Sequence, residues 1–294
     1  MARLDILKTY KIYIGGQFPR TESGRYYPLT GKNKEVIANI CLSSRKDFRN
    51  AVVSARGAVA GWSSRSGFNR GQILYRIAEM LEGRKKQFIT ELLLQGSTAS
   101  AAETEIHQAI DRLVYYAGWC DKYQALFGTI NPVASSHFNF SMPEAMGVVA
   151  VIASEDQSLL GMVTAVAPLI AGGNTCIVLA SESKPLCAVT FAEVIHSSDV
   201  PGGVVNILTG SAAELHSHFA SHMDVNAVVY YGGNKAHIKQ MQELASLNVK
   251  RMFIHTPASV KDPKAQDPYQ IMDAQEIKTT WHPVEQIGPG KAGY

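Results

Sequence analysis

Five short apolar runs alternate with helical segments between residues 147 and 255, and this pattern constrains the fold more than any other feature. The runs are continuous rather than alternating, which is typical of strands buried on both faces of a parallel sheet. Glycine-rich turns separate several segments, at 172–174, 201–203 and 232–234. We therefore predict an α/β fold with a Rossmann-like, doubly wound parallel sheet. Its strands are expected at 147–153, 175–179, 204–208, 227–231 and 250–255.

Helical segments precede and separate these strands. Ser44 is a plausible N-cap for a helix that runs through Trp62, and two more helices are expected at 69–94 and 100–126. Residues 10–29 alternate aromatic and polar side chains around glycine turns, which predicts two short surface strands. Within the sheet region we expect helices at 159–171, 186–196, 212–222 and 235–246.

Composition excludes several classes of function. The 28 basic and 25 acidic residues leave a net charge of +3, and the longest basic block is Arg84 to Lys86, so we expect no nucleic-acid partner. No apolar run reaches the ~20 residues that a membrane span needs, so we expect no membrane partner. Residues 1–6 carry charges where a signal peptide would be apolar, which predicts a cytoplasmic protein.

Four motifs are specific enough to indicate a family. They are Gly-Val-Val-Ala-Val-Ile at 147–152, Ala-Pro at 167–168 with Ala-Gly-Gly-Asn-Thr at 171–175, the segment 201–210, and Val-Lys-Arg at 249–251. In this order and spacing they resemble the NAD(P)-dependent aldehyde dehydrogenases. The resemblance runs from about Tyr10 to His255 and resumes at 276–281, which looks like the family's last strand.

The resemblance implies an aldehyde dehydrogenase that lacks its catalytic domain, like the degenerate second copy in certain tandem members. Residues 257–273 are mostly polar and cannot build such a domain. We divide the chain accordingly into an N-terminal β-turn and helical part of the cofactor-type domain, an oligomerisation strand, a Rossmann-like core, a linker in place of the catalytic domain, and a C-terminal oligomerisation strand with a tail. The boundaries are 1–136, 137–146, 147–256, 257–273 and 274–294.

The family's catalytic positions are vacant in this chain. In the family a Cys attacks the aldehyde, an Asn amide helps to hold the oxyanion, and a Glu activates water. Asp156 stands at the Asn position, and a carboxylate has no hydrogen-bond donor for an oxyanion. His255 stands at the Glu position and could act as a base, but the glycines that follow the Glu in the family are absent. The Cys belongs to the missing domain, so we predict no catalytic residue.

The family's cofactor positions are partly kept. The resemblance assigns cofactor contacts to Glu182, Gly210, Gly232 and Gly233. Two neighbours depart from the pattern: Leu179 replaces a Lys, and His237 replaces a Gly at the phosphate-binding turn. We therefore expect binding of NAD or NADP to be weak or absent.

Other reactive side chains have ordinary explanations. His216, His218 and His222 could hold a metal, but Phe219 stands where a zincin helix needs Glu, so incidental histidines and no metal are expected. Glu155 and Asp156 are expected to be a solvated turn rather than an acid/base pair. The four cysteines are expected to be reduced and non-catalytic: Cys41, Cys120, Cys176 and Cys187.

Two alternating segments predict assembly. Phe138 and Phe140 alternate with polar residues, as do Ile277, Thr279 and Trp281, which should leave one apolar face and an open sheet edge for another chain. We expect a catalytically inactive subunit that assembles with itself or with a full-length aldehyde dehydrogenase. Two alternatives stay open: an NAD(P)-binding oxidoreductase subunit completed by a partner's catalytic domain, and a nucleotide sensor.

Overall fold

The computed structural model describes residues 6–32, 34–256 and 260–284. The β-strands are β1 (Thr9–Tyr10), β2 (Tyr26–Thr30), β3 (Val36–Cys41), β4 (Thr129–Asn131), β5 (His137–Ala145), β6 (Val148–Ile152), β7 (Thr175–Leu179), β8 (Val205–Leu208), β9 (Ala227–Tyr231), β10 (Arg251–His255) and β11 (Gln275–Pro283). The α-helices are α1 (Arg45–Ser63), α2 (Gly67–Gly83), α3 (Lys85–Leu94), α4 (Ala99–Trp119), α5 (Tyr123–Phe127), α6 (Leu160–Ala171), α7 (Leu186–His196), α8 (Ala212–Ser221), α9 (Lys235–Ser246) and α10 (Tyr269–Asp273).

A five-stranded parallel sheet forms the centre, in the order β10-β9-β6-β7-β8. The chain moves outward from β6 through β7 to β8 and then returns to the other side with β9 and β10. This confirms the predicted α/β fold, and each expected strand is present within about two residues at its ends. Strand β6 is therefore the point at which the strand order reverses.

The sheet is apolar throughout because each of its faces is covered by a separate core. Val149 and Val151 of β6 point into a cluster that includes Trp62 and Phe191. Residues of opposite parity, such as Ala150, point into a second cluster built on α1 and α8. Because alternate residues enter different cores, both parities of the strand must be apolar.

Two predicted helices are each divided into two. The segment expected at 69–94 forms α2 and α3, with Arg84 between them at φ −104° and ψ 8°. The segment expected at 100–126 forms α4 and the short α5. The buried apolar positions continue across the first break, at Leu81 and Phe88, so hydrophobic periodicity alone did not reveal it.

The N-terminal part also differs from expectation. Residues 10–29 contribute β1 and β2, but the strand that joins them is β3, in the order β1-β3-β2, and β3 was not predicted. Helix α1 begins as expected at Ser44, where a capping box forms with Asp47. No helix in the described part of the chain is long and apolar enough to cross a membrane.

A third sheet, in the order β11-β5-β4, lies outside the core. Its register corrects one expectation, because Trp281 pairs with Asn139 and Thr279 with Ser141. Residues opposite each other in an antiparallel pair share a face, so Ile277, Thr279 and Trp281 lie on the face opposite Phe138 and Phe140. The two sets do not form one apolar face, and both faces of the sheet carry exposed apolar side chains.

Candidate functional site at the carboxyl edge of the sheet

Most of the expected site residues lie beyond the carboxyl ends of the parallel strands. The turn at 154–158 follows β6, Glu182 follows β7, Gly232 follows β9, and His255 ends β10. In open α/β sheets, ligands bind in the crevice at this edge, next to the strand at which the order reverses. The fold thus brings these positions to one edge, although β9 separates β6 from β10.

Glu155 connects the turn after β6 to the loop after β7 by hydrogen bonds. Its carboxylate accepts hydrogen bonds from the backbone N–H groups of Glu182 at 2.9 Å and Ser183 at 3.1 Å, and from the hydroxyl of Ser181 at 2.8 Å. Glu155 is exposed, as expected for a solvated turn, but its carboxylate also satisfies the backbone of a neighbouring loop. Sequence reasoning missed this role, since the partners lie 26 to 28 residues away.

Leu179, the last residue of β7, departs from the family pattern and is part of the core. Leu179 is only 1% exposed and packs in the cluster that contains Ile152 and Leu208. Glu182, in contrast, is exposed, and its carbonyl oxygen accepts a hydrogen bond from the Tyr27 hydroxyl at 2.9 Å. The surviving Glu therefore faces solvent beside a strand end that offers no cation.

The turn into α9 carries its own cap. The Asn234 side chain accepts hydrogen bonds from the backbone N–H groups of Ala236 at 3.0 Å and His237 at 3.2 Å. The His237 imidazole stacks on that of His216, with ring centroids 4.4 Å apart. The ring thus lies against α8, and the cap occupies donors that would otherwise face an anion.

The three glycines assigned to the cofactor have different surroundings. Gly210 is buried, with φ +145°, and a Cβ there would come within 3.0 Å of the Ser43 backbone nitrogen. At Gly232 a Cβ would come within 2.3 Å of the Tyr230 ring, which covers this glycine. Gly233 is exposed, and a Cβ would meet nothing within 4 Å. Packing within the chain therefore explains Gly210 and Gly232 without a ligand.

His255 is half-buried at its position. Its ring stacks on Tyr231 with centroids 4.8 Å apart, and it lines a cavity of about 20 Å³ together with Asp273 of α10. This volume suits about one water molecule. Burial lowers the pKa of His255, and the Asp273 carboxylate partly opposes that shift, so the imidazole is mainly neutral at neutral pH.

Residues 260–273 close over this position. Val260 and Ile271 are buried in the main core, and the Arg112 guanidinium donates to the Val260 carbonyl oxygen at 3.0 Å and to the Thr164 hydroxyl. Tyr116 contacts the same segment through hydrogen bonds with Asp267. The segment predicted as a linker thus packs on α4 and α6 in its described part.

Asp156, at the position of the family's Asn, is exposed, and the Lys184 ammonium donates to its backbone carbonyl oxygen at 2.9 Å. The two positions that correspond to the family's Asn and Glu therefore lie in different surroundings, because Asp156 is exposed and His255 is half-buried.

The four cysteines and His216 contribute no reactive group to this edge. All four cysteines are buried and free, and burial raises the pKa of the Cys120 thiol to about 12 and those of Cys176 and Cys187 as well. His216 is held by the Ala212 carbonyl oxygen at 2.9 Å and by Gln240 at 2.8 Å. Over the described ranges, no three His, Cys, Asp or Glu side chains are grouped as metal ligands.

Comparison with known proteins gives a consistent result. The aldehyde dehydrogenase family model matches residues 20–259. Cytosolic 10-formyltetrahydrofolate dehydrogenase from Mus musculus is 29% identical over 258 residues, covering 86% of this chain and 29% of that protein. Cytosolic aldehyde dehydrogenase 1 from Elephantulus edwardii is 29% identical over 254 residues, covering 84% of this chain and 50% of that protein.

Solved structures agree with the sequence relatives. Aldehyde dehydrogenase C from Pseudomonas syringae, in complex with NAD⁺ and octanal, matches with a TM-score of 0.77 at 29% identity over 83% of this chain and 50% of its own. The NAD⁺ complex of an aldehyde dehydrogenase from Bacillus cereus gives 0.78 at 24% identity, covering 84% of this chain and 50% of that one. The chain spans about half the length of these structures and under a third of the first curated relative. The chain belongs to the aldehyde dehydrogenase family.

Proposed function

We propose that this chain is a non-catalytic aldehyde dehydrogenase-like subunit whose role depends on assembly with a second copy or with a full-length aldehyde dehydrogenase. One observation carries the proposal: residues 260–273 pack over His255 and lead directly from β10 into β11. In the family, as the resemblance implies, the catalytic domain lies between these two strands. Here that position is covered by the chain's own α10.

The remaining catalytic position supports the same proposal. Asp156 offers a carboxylate where an oxyanion needs a donor, and losing one such donor typically costs about 100- to 1,000-fold in rate. We therefore expect the full chain to show no saturable NAD-dependent oxidation of aldehydes such as octanal. Saturable turnover that disappears in the Asp156→Ala or His255→Ala variant would overturn the proposal.

The residues present fit a dinucleotide poorly. A pyrophosphate would meet an α9 N-terminus whose N–H groups already bind Asn234, and the loop after β7 is held by the Glu155 carboxylate, which an anion would not approach. Leu179 supplies no cation. We infer that NAD binds weakly or not at all, which also speaks against the nucleotide sensor.

Assembly is supported by the edge of the outer sheet. Strand β11 pairs with β5 on one side only in the described ranges, and all of its residues after Gln275 are exposed. An unpaired edge of this length invites another strand, and a twofold axis lets two such edges pair reciprocally. We propose the cytoplasm as the location, since the curated relatives include cytosolic enzymes by name.

Light scattering on the full chain across micromolar concentrations tests the assembly. A dimer or larger particle is expected for the chain alone, or a complex when a full-length aldehyde dehydrogenase is added. A monomer in both measurements would overturn the proposal, and loss of the particle on truncation after Gln275 would localise the contact to β11.

A further inference from the structure

A cavity of about 310 Å³ lies between α1 and α8, away from the carboxyl edge of the sheet. Phe48 of α1 and Phe219 of α8 stack beneath it, with ring centroids 4.2 Å apart, and hold the two helices together. Its wall is formed mainly by Arg45, Phe48, Arg49, His218, His222 and Met223.

The polar wall of this α1–α8 cavity is cationic. Arg45 and Arg49 lie one turn apart on α1, and His218 and His222 have the same spacing at the end of α8. No carboxylate lines the cavity, and neither arginine forms an ion pair with any residue that the structure describes. Lys46, the residue between them, is in contrast paired with Glu22.

Burial and the positive charge of this wall both lower the pKa values of His218 and His222. Burial lowers the pKa of both, and the Arg45 guanidinium lowers it further. At His218 the neighbouring His216 adds to the effect, whereas at His222 Lys250 and Arg49 add to it and the Asp224 carboxylate opposes it. The positive groups around the cavity thus repel one another. A bound anion would reduce this repulsion and favour protonation of the histidines.

We propose that the α1–α8 cavity binds a small molecule through a phosphate group, with the two guanidinium groups and the two imidazoles as donors. Arginine pairs geometrically with phosphate oxygens, and the volume is at the lower end of the range of about 300–1,000 Å³ for ligand sites. A metal cation does not fit here, because the arginines would repel it. The site needs neither the dinucleotide edge nor assembly.

Calorimetric titration of the full chain with inorganic phosphate tests the site. We expect saturable binding at one site, weakened about tenfold or more in the Arg45→Gln/Arg49→Gln variant. Lys46→Gln removes one charge from the same helix turn outside the cavity and serves as the control, with unchanged affinity. Because these side chains are exposed, circular dichroism is expected to show both variants folded.

Sulfate tests the proton linkage, because its charge is constant between about pH 5.5 and about pH 8. We expect tighter binding at the lower pH and a rise in the His218 pKa on binding, followed by NMR. The proposal is overturned by absence of saturable binding at millimolar phosphate, by equal weakening in Lys46→Gln, by affinity for sulfate that is independent of pH, or by binding only of a long polyanion such as heparin.

Discussion

The Tyr10 hydroxyl donates a hydrogen bond to Glu91 at 3.2 Å and thereby connects β1 to α3. The Thr190 hydroxyl of α7 donates to the same carboxyl oxygen at 2.6 Å, while the second oxygen of Glu91 is buried without a partner. Burial raises the pKa of Glu91 to about 7, although these two hydrogen bonds and Lys8 oppose the shift. Three segments therefore meet at one buried carboxyl group.

This carboxyl group makes stability depend on pH. Because its folded-state pKa lies above its unfolded value of about 4.5, the folded protein holds an extra proton between about pH 4.5 and about pH 7. The stabilisation is present below pH 4.5 and is lost as the pH rises through 7. The free energy of unfolding of the native chain should fall by an amount of the order of 1–3 kcal/mol as the pH rises across this window. The Glu91→Gln variant has no titrating group at this position, so we expect this fall to be absent from it. Urea unfolding at several pH values measures it, and parallel curves for the two proteins would contradict it.

Arg112 is expected to hold residues 260–273 in place. It is 3% exposed, and burial without a carboxylate partner lowers its pKa. Replacing such a cation by an apolar residue of similar size often changes global stability little, but Arg112→Met removes the bond to Val260. We expect faster tryptic cleavage after Lys261 and Lys264, with a nearly unchanged melting temperature. Arg76→Met, on the surface of α2, is the control, and equal cleavage in both variants would show that Arg112 is not the anchor.

Trp281 offers a test of the outer sheet. It is 57% exposed on β11, and Tyr75, which belongs to α2 and not to that sheet, is 59% exposed. If β11 forms the assembly contact, Trp281→Lys introduces an unpaired charge there and weakens association by about tenfold or more. Tyr75→Lys is expected to leave the mass measured by light scattering unchanged. If both variants have the same mass, the assembly contact does not involve Trp281.

The departures at Leu179 and His237 are expected to weaken NAD binding. Leu179→Lys with His237→Gly therefore gains affinity, measured by energy transfer from tryptophan to NADH. Because Leu179 is buried, the substitution by Lys also lowers stability, whereas Leu179→Met keeps the volume without the charge and is the control. No gain in the double variant would show that Glu155 and the Asn234 cap dominate.

The sequence predicted the parallel sheet because a strand between two cores must be apolar at both parities, as Val149 and Ala150 illustrate. The sequence did not indicate the helix break at Arg84, because an apolar face continues across it. The faces of β11 were misassigned because pairing register, which local alternation does not contain, decides that Trp281 lies opposite Asn139.

The site was predictable only as positions at one sheet edge. That Asp156 and Glu182 come to the same edge follows from strand order, which the βα rhythm indicates. The role of Glu155 depends on a loop from the next βα unit, and the partial burial of His255 depends on how residues 260–273 fold back. Neither contact leaves a local signal in the chain.

Segment 256–274 connects β10 to β11, and the contacts that fix these two strands do not depend on the length of the segment. β10 is fixed by β9, β11 is fixed by β5, and Arg251 joins the two strands by donating to the Gln275 carbonyl oxygen at 2.6 Å. The entropic cost of closing a loop rises by only about 0.6 kcal/mol for each doubling of its length. A few residues or a whole folded unit could therefore be inserted or removed between these two anchors, and the register of neither sheet would change.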